Sequence, residues 1–195
     1  MQRRLALALA ACLVLGAGPV LAHGSAAHYG GFASGFLHPV LGWDHVVAMV
    51  AVGLLGAFLG GTAIWMLPVI FPLVMALGAA LGVTGLPLPG VEQGIAASAI
   101  VLGAMIAVAA RPPLWLAGAV VGVFAVFHGH AHGTDLPGMV SPFAYAVGFV
   151  LATGLLHLGG IALGLLTRWP AGTAAIRAGG AAISALGVAF LVGVA

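Results

Sequence analysis

The chain has 195 residues, 63% of them hydrophobic and 4% charged, and a formal charge of +2 with histidine neutral. An ordinary soluble domain is about 25% charged, so five arginines, no lysine and three acids cannot cover a water-facing surface. This excludes a soluble globular domain and a disordered tail, and the lack of clustered positive charge argues against a nucleic-acid partner.

What remains is an all-α fold, a polytopic membrane helix bundle in the lipid bilayer. The start of the chain reads as a leader. Arg3 and Arg4 precede an apolar run, and Gly16, Gly18 and Pro19 lead into the small-residue exit Val20-Leu21-Ala22. A short basic stretch, a short apolar core and a small-x-small exit describe a secretory signal peptide. The expected organisation is therefore a cleaved signal peptide, residues 1–22, and a six-span transmembrane domain, residues 23–195. Cys12, the single cysteine, falls in the leader. Metal chemistry in the mature chain must then use nitrogen and oxygen ligands.

At about 20 apolar residues per span, the mature chain accommodates six. Span 1 is expected at residues 38–60, with Pro39 at its first helical position, and span 2 at 62–83 after a very short turn. A Pro/Gly run over 85–90 forms a loop, and span 3 follows at 92–110, closed by Arg111-Pro112-Pro113. Span 4 is expected at 114–132, span 5 at 142–166 and span 6 at 178–194. Small-xxx-small pairs such as Gly56/Gly60, Gly118/Gly122 and Gly160/Gly164 suit close helix packing in lipid.

Charge orients this arrangement. Cleavage on the outer side leaves the mature N-terminus outside, and the loops after spans 1, 3 and 5 then face the cytoplasm. Arg111, Arg168 and Arg177 all fall on that side, as the positive-inside rule requires. Glu92 and Asp135 fall outside. The expected location is the bacterial inner (cytoplasmic) membrane, with both mature termini on the outer side.

Histidine is distributed unevenly. Five of the eight lie in two segments: His38 and His45 near the outer end of span 1, and His128, His130 and His132 at the outer end of span 4. Ionisable groups at membrane depth are costly and face a bundle interior or an aqueous cavity, so the two segments are expected to share one outer vestibule. His128 and His132 are one helical turn apart, about 6 Å along the axis, a spacing that clamps one ion. His130 points to the other side, toward another helix or the exit. In a straight helix His38 and His45 are about 10 Å apart, which makes them successive stations unless the helix breaks near Gly42. Asp44 serves either as a ligand or as the partner that orients an imidazole. Met49 is expected to be packing, and His157, deeper in span 5, a core residue bonded to another helix. His23 and His28 lie in the outer N-terminal stretch, where the α-amine and imidazole of His23 can capture a metal ion.

Residues 38–45 read H-x5-D-H and residues 127–135 read F-H-G-x-A-H-G-x-D. These segments resemble the two signatures of the HupE/UreJ family of nickel permeases, small membrane proteins associated with hydrogenase and urease maturation. The resemblance implies a secondary permease for Ni²⁺, or a similar ion such as Co²⁺ or Zn²⁺, with His38, Asp44, His45, His128 and His132 recognising the ion. It implies no permanently bound cofactor, no enzymatic activity, and maturation proteins of hydrogenase or urease as partners. Asp135 stands where the family signature has Glu, and His130 occupies a variable position. A haem- or copper-binding membrane redox protein is the alternative that uses the same residue types. No H-E-x-x-H motif and no phosphate-binding glycine loop with its lysine is present.

Overall fold

The computed structural model describes residues 30–134, 136 and 141–194. The leader at 1–22, His23, His28 and Asp135 lie outside the described residues. Every regular element among the described residues is helical: α1 (Gly31–Leu41), α2 (Trp43–Leu59), α3 (Ala63–Val83), α4 (Val91–Ala107), α5 (Leu114–Thr134), α6 (Pro142–Gly164) and α7 (Pro170–Leu191), with a 3-10 turn, Leu165–Arg168, before α7. The boundaries have local causes. Ser141 caps α6, its hydroxyl accepting the Ala144 N–H at 3.4 Å, with Pro142 in the first turn. Gly60 adopts φ 73° between α2 and α3, the left-handed conformation that glycine reaches without strain.

Span 1 differs from expectation. It is a broken pair, α1 and α2, bent by 79° at Gly42. Pro39 sits inside α1 near its end, where its missing N–H leaves the Gly35 carbonyl without a helical donor. Gly42 is extended, with φ −86° and ψ 108°, and α2 starts afresh. The Asp44 carboxylate then accepts the His45 backbone N–H at 2.9 Å in the first turn of α2, where the helix dipole favours negative charge.

Among the described residues, four helices are long and apolar enough to cross a membrane, and five when the bent pair counts as one span. The remaining helix, α4, is apolar but has 17 residues, about 25 Å at 1.5 Å per residue. The outward faces suit lipid: Trp65, Leu73 and Leu77 on α3 are 64–66% exposed, an arrangement untenable in water. The chain is a multi-pass membrane protein.

Glycine carries the helix crossings. A Cβ at Gly129 or Gly133 of α5 would lie 1.9 or 2.2 Å from the carbonyls of Met75 and Ala79 on α3. From the other side, a Cβ at Gly78 or Gly82 would lie 2.4 Å from the carbonyl of Val126 or His130. Gly53 of α2 and Gly160 of α6 do the same for that pair, and Gly35 and Gly148 for α1 and α6. Of the small-residue pairs read from the sequence, Gly160/Gly164 is a tight crossing, whereas Gly118 and Gly122 make only peripheral contacts. These crossings fix the rotation of each helix. Because Gly129 and Gly133 face α3, the neighbouring His128 and His132 turn toward the middle of the bundle.

The cations collect at the opposite end. Arg111 stacks over Phe58 at the end of α2. Arg177 donates to the Ala107 carbonyl, at the end of α4, at 2.8 Å.

Candidate metal site

Four imidazoles from three helices meet in the bundle. His38 comes from α1, His45 from the first turn of α2, and His128 and His132 from α5. The ring of His132 is 4.7 Å from that of His38 and 4.6 Å from that of His45, centroid to centroid. His45 and His128 are 5.3 Å apart, and His38 and His45 6.0 Å. The bend at Gly42 is what folds His38 back toward His45. His38 is therefore part of one cluster and not a separate outer station, which corrects the straight-helix expectation.

Hydrogen bonding sets the tautomers. His45 Nδ1 donates to Asp44 Oδ1 at 2.8 Å, and His128 Nδ1 donates to the Phe124 carbonyl at 3.0 Å. A carboxylate and a carbonyl only accept, so in a neutral ring the proton resides on Nδ1 and Nε2 carries a lone pair. Both Nε2 atoms are buried without a partner, and so are both ring nitrogens of His132. Unpaired polar atoms in an apolar interior cost free energy, and here they occur together. Asp44 points at His45, in the position of an orienting partner that fixes the ring and raises its basicity.

The remaining candidates separate from this group. His130 is buried on the far face of α5, and its Nε2 donates to the Leu86 carbonyl in the loop after α3 at 2.7 Å. It pins that loop and contributes nothing to the cluster, contrary to its inclusion among the candidate ligands. The reason is the turn of the helix: two residues from either neighbour, it faces the opposite way. Met49 is fully buried in the core, as expected.

Aromatic side chains that the sequence did not mark wall the cluster. Phe149 lies 4.3 Å from His132, and Tyr145 lies 6.2 Å from His38. Both come from α6, at a four-residue spacing that continues through Thr153 to His157; that stripe was the available signal. An apolar cavity of about 230 Å³ between α3, α5 and α6 carries His132 and Tyr145 in its wall.

Among the described residues, no three His, Asp, Glu or Cys side chains already hold their donor atoms around one point. The imidazoles instead pack edge to face or tilted against one another. Metal–nitrogen bonds are about 2.0–2.1 Å long, so binding an ion requires rotation of the rings about their side-chain torsions.

The sequence matches the HupE / UreJ protein family over residues 10–190. The chain belongs to the HupE/UreJ family. Protein HupE of Rhizobium leguminosarum bv. viciae is 43% identical to it over 176 residues, 90% of this chain and 92% of that protein. No solved structure matches significantly. HupE/UreJ proteins are known as accessory metal-transport proteins of hydrogenase and urease systems. In this HupE/UreJ chain the two histidine-bearing segments, far apart in sequence, supply all four rings of the cluster.

Proposed function

We propose that this protein is a secondary permease that takes up Ni²⁺, or the chemically similar Co²⁺, across the bacterial inner membrane. The observation that carries the reading is the convergence of four imidazoles in a membrane helix bundle, of which His45, His128 and His132 have unpartnered, buried ring nitrogens. Neutral imidazole backed by a carboxylate suits borderline divalent ions. His38, His45, His128 and His132 receive the ion, and Asp44 holds His45 in its ligating tautomer. A transport site must release what it binds, and rings that move on binding favour exchange over permanent capture.

The cluster faces the outside and the arginine end faces the cytoplasm, in keeping with the positive-inside rule. The cargo supplies a hydrogenase or urease maturation system, and the chain performs no chemistry on it. The test is uptake of Ni²⁺, Co²⁺ and Zn²⁺ by cells lacking their own nickel importers. Expression of this chain is expected to raise Ni²⁺ accumulation. Accumulation of none of the three ions contradicts the reading.

A further inference from the structure

Buried polar atoms without a partner are rare, and each calls for an explanation. Among the described residues such side-chain atoms fall on His45, His128 and His132 of the outer cluster, and on Thr153 and His157 of α6. The last two lie outside the cluster and outside both signature segments. They share a face of α6, one turn apart, about 6 Å along the axis. Thr153 is fully buried and His157 is 2% exposed.

His157 follows on from the cluster. The Phe71 ring of α3, fully buried, sits 5.4 Å from His128 on one side and 5.5 Å from His157 on the other. Three side chains from three helices thus form a file from the cluster inward.

The tautomer of His157 is also set. Pro72 has no N–H, so the carbonyl of Pro68, four residues earlier in α3, lacks its helical donor. That carbonyl lies against the His157 ring, while His157 Nε2 is buried with no partner. With Nδ1 as the nitrogen available to that carbonyl, Nε2 of the neutral ring presents a lone pair. This is the arrangement His128 has with the Phe124 carbonyl. A residue that served only to satisfy Pro68 has no need of a second nitrogen buried against nothing. Thr153 is equally telling. A threonine in a helix usually returns its hydroxyl to a carbonyl one turn back, yet its Oγ1 bonds to nothing.

We propose that His157 Nε2 and Thr153 Oγ1 form an inner station that accepts a divalent ion from His128 past the Phe71 ring and passes it toward the arginine end. Two protein donors hold a partly hydrated ion weakly, and weak, multiple sites are what allow onward movement. The step is ligand exchange: water and His128 leave the ion as His157 and Thr153 join it, with no proton or electron transferred. The inference rests on the permease reading and assigns that path a second stop.

The test uses the full chain, purified and reconstituted into liposomes, with Ni²⁺ as the probe. His157→Asn keeps an amide donor where Nδ1 stood and removes the Nε2 lone pair. Thr153→Val removes the hydroxyl at constant shape. Both variants are expected to keep wild-type thermal stability and wild-type affinity at the outer cluster in equilibrium binding. Uptake is expected to fall on the order of tenfold in H157N and by less in T153V, and H157N should lack a second, weaker binding event. Wild-type uptake in H157N and T153V overturns the inner station and leaves the permease reading standing. Parallel loss of stability, outer binding and uptake in H157N overturns it too, by marking His157 as a packing residue. A wild-type chain that binds and moves no Ni²⁺ overturns the permease reading itself.

Discussion

Asp44 and His45 are adjacent in sequence and joined through a single oxygen. Asp44 Oδ1 accepts the His45 ring proton at 2.8 Å and the His45 backbone N–H at 2.9 Å. One carboxylate thus starts α2 and selects the tautomer that directs Nε2 into the cluster. Gly42 is the space in which this happens: a Cβ there would stand 3.0 Å from both Asp44 Oδ1 and His45 Nδ1. Replacing Asp44 with Asn keeps an acceptor and removes its charge. Nickel affinity measured by equilibrium binding should fall about 10-fold or more, the usual effect of losing a carboxylate behind a metal-binding histidine. Unchanged affinity would mean that the carboxylate does not support the ligand.

His130 and His132, two residues apart, should respond differently. His130→Ala removes its part-buried hydrogen bond to the Leu86 carbonyl, a loss of about 0.5–1.5 kcal/mol. Thermal unfolding in detergent should show that loss, while uptake per folded molecule is retained. His132→Ala should leave stability near wild type and abolish uptake. A variant pair with the opposite pattern would place His130 in the path.

The α3–α5 crossing should tolerate no side chain. A Cβ at Gly129 would stand 1.9 Å from the Met75 carbonyl, so Gly129→Ala must push the helices apart and carry His128 with it. Overpacking of this kind costs about 1–3 kcal/mol, and here it should also reduce nickel uptake. Gly154, where a Cβ meets nothing within 4 Å, is the matched control. Gly154→Ala should be neutral in unfolding and in transport.

Orientation is open to chemical labelling. A single cysteine in the 86–90 loop, introduced with Cys12 replaced, should react with an impermeant thiol reagent from outside intact cells. A cysteine at the exposed Ala171, at the arginine end, should react only after permeabilisation. The reverse pattern would invert the topology and move the cluster to the cytoplasmic side.

Most helical segments were legible because apolar runs and Pro/Gly breaks are local signals; α6 begins where Ser141-Pro142 says it should, whereas α7 begins at Pro170 and not at the expected residue 178. The bend at Gly42 was not. Pro39 reads equally well as the first residue of a helix and as the residue that weakens its end, and only the packing of α1 on α6 decides. Straight-helix arithmetic therefore separated His38 from His45, although their rings lie 6.0 Å apart. The one-turn spacing of His128 and His132 was readable from periodicity alone. The role of His130 depends on a carbonyl 44 residues away, which no local pattern encodes. His157 was expected to be a core residue, and it is buried at 2% exposure. Its unpartnered Nε2 became visible only once the neighbouring helices were in place.

The central claim is that the four-imidazole cluster recognises the ion. Radiolabelled nickel uptake tests it most directly, in importer-deficient cells expressing wild-type chain, His45→Ala or His132→Ala at matched membrane levels. The account predicts accumulation with the wild type and background uptake with either variant. Wild-type rates in both variants would contradict it and leave the cluster a structural feature of the bundle.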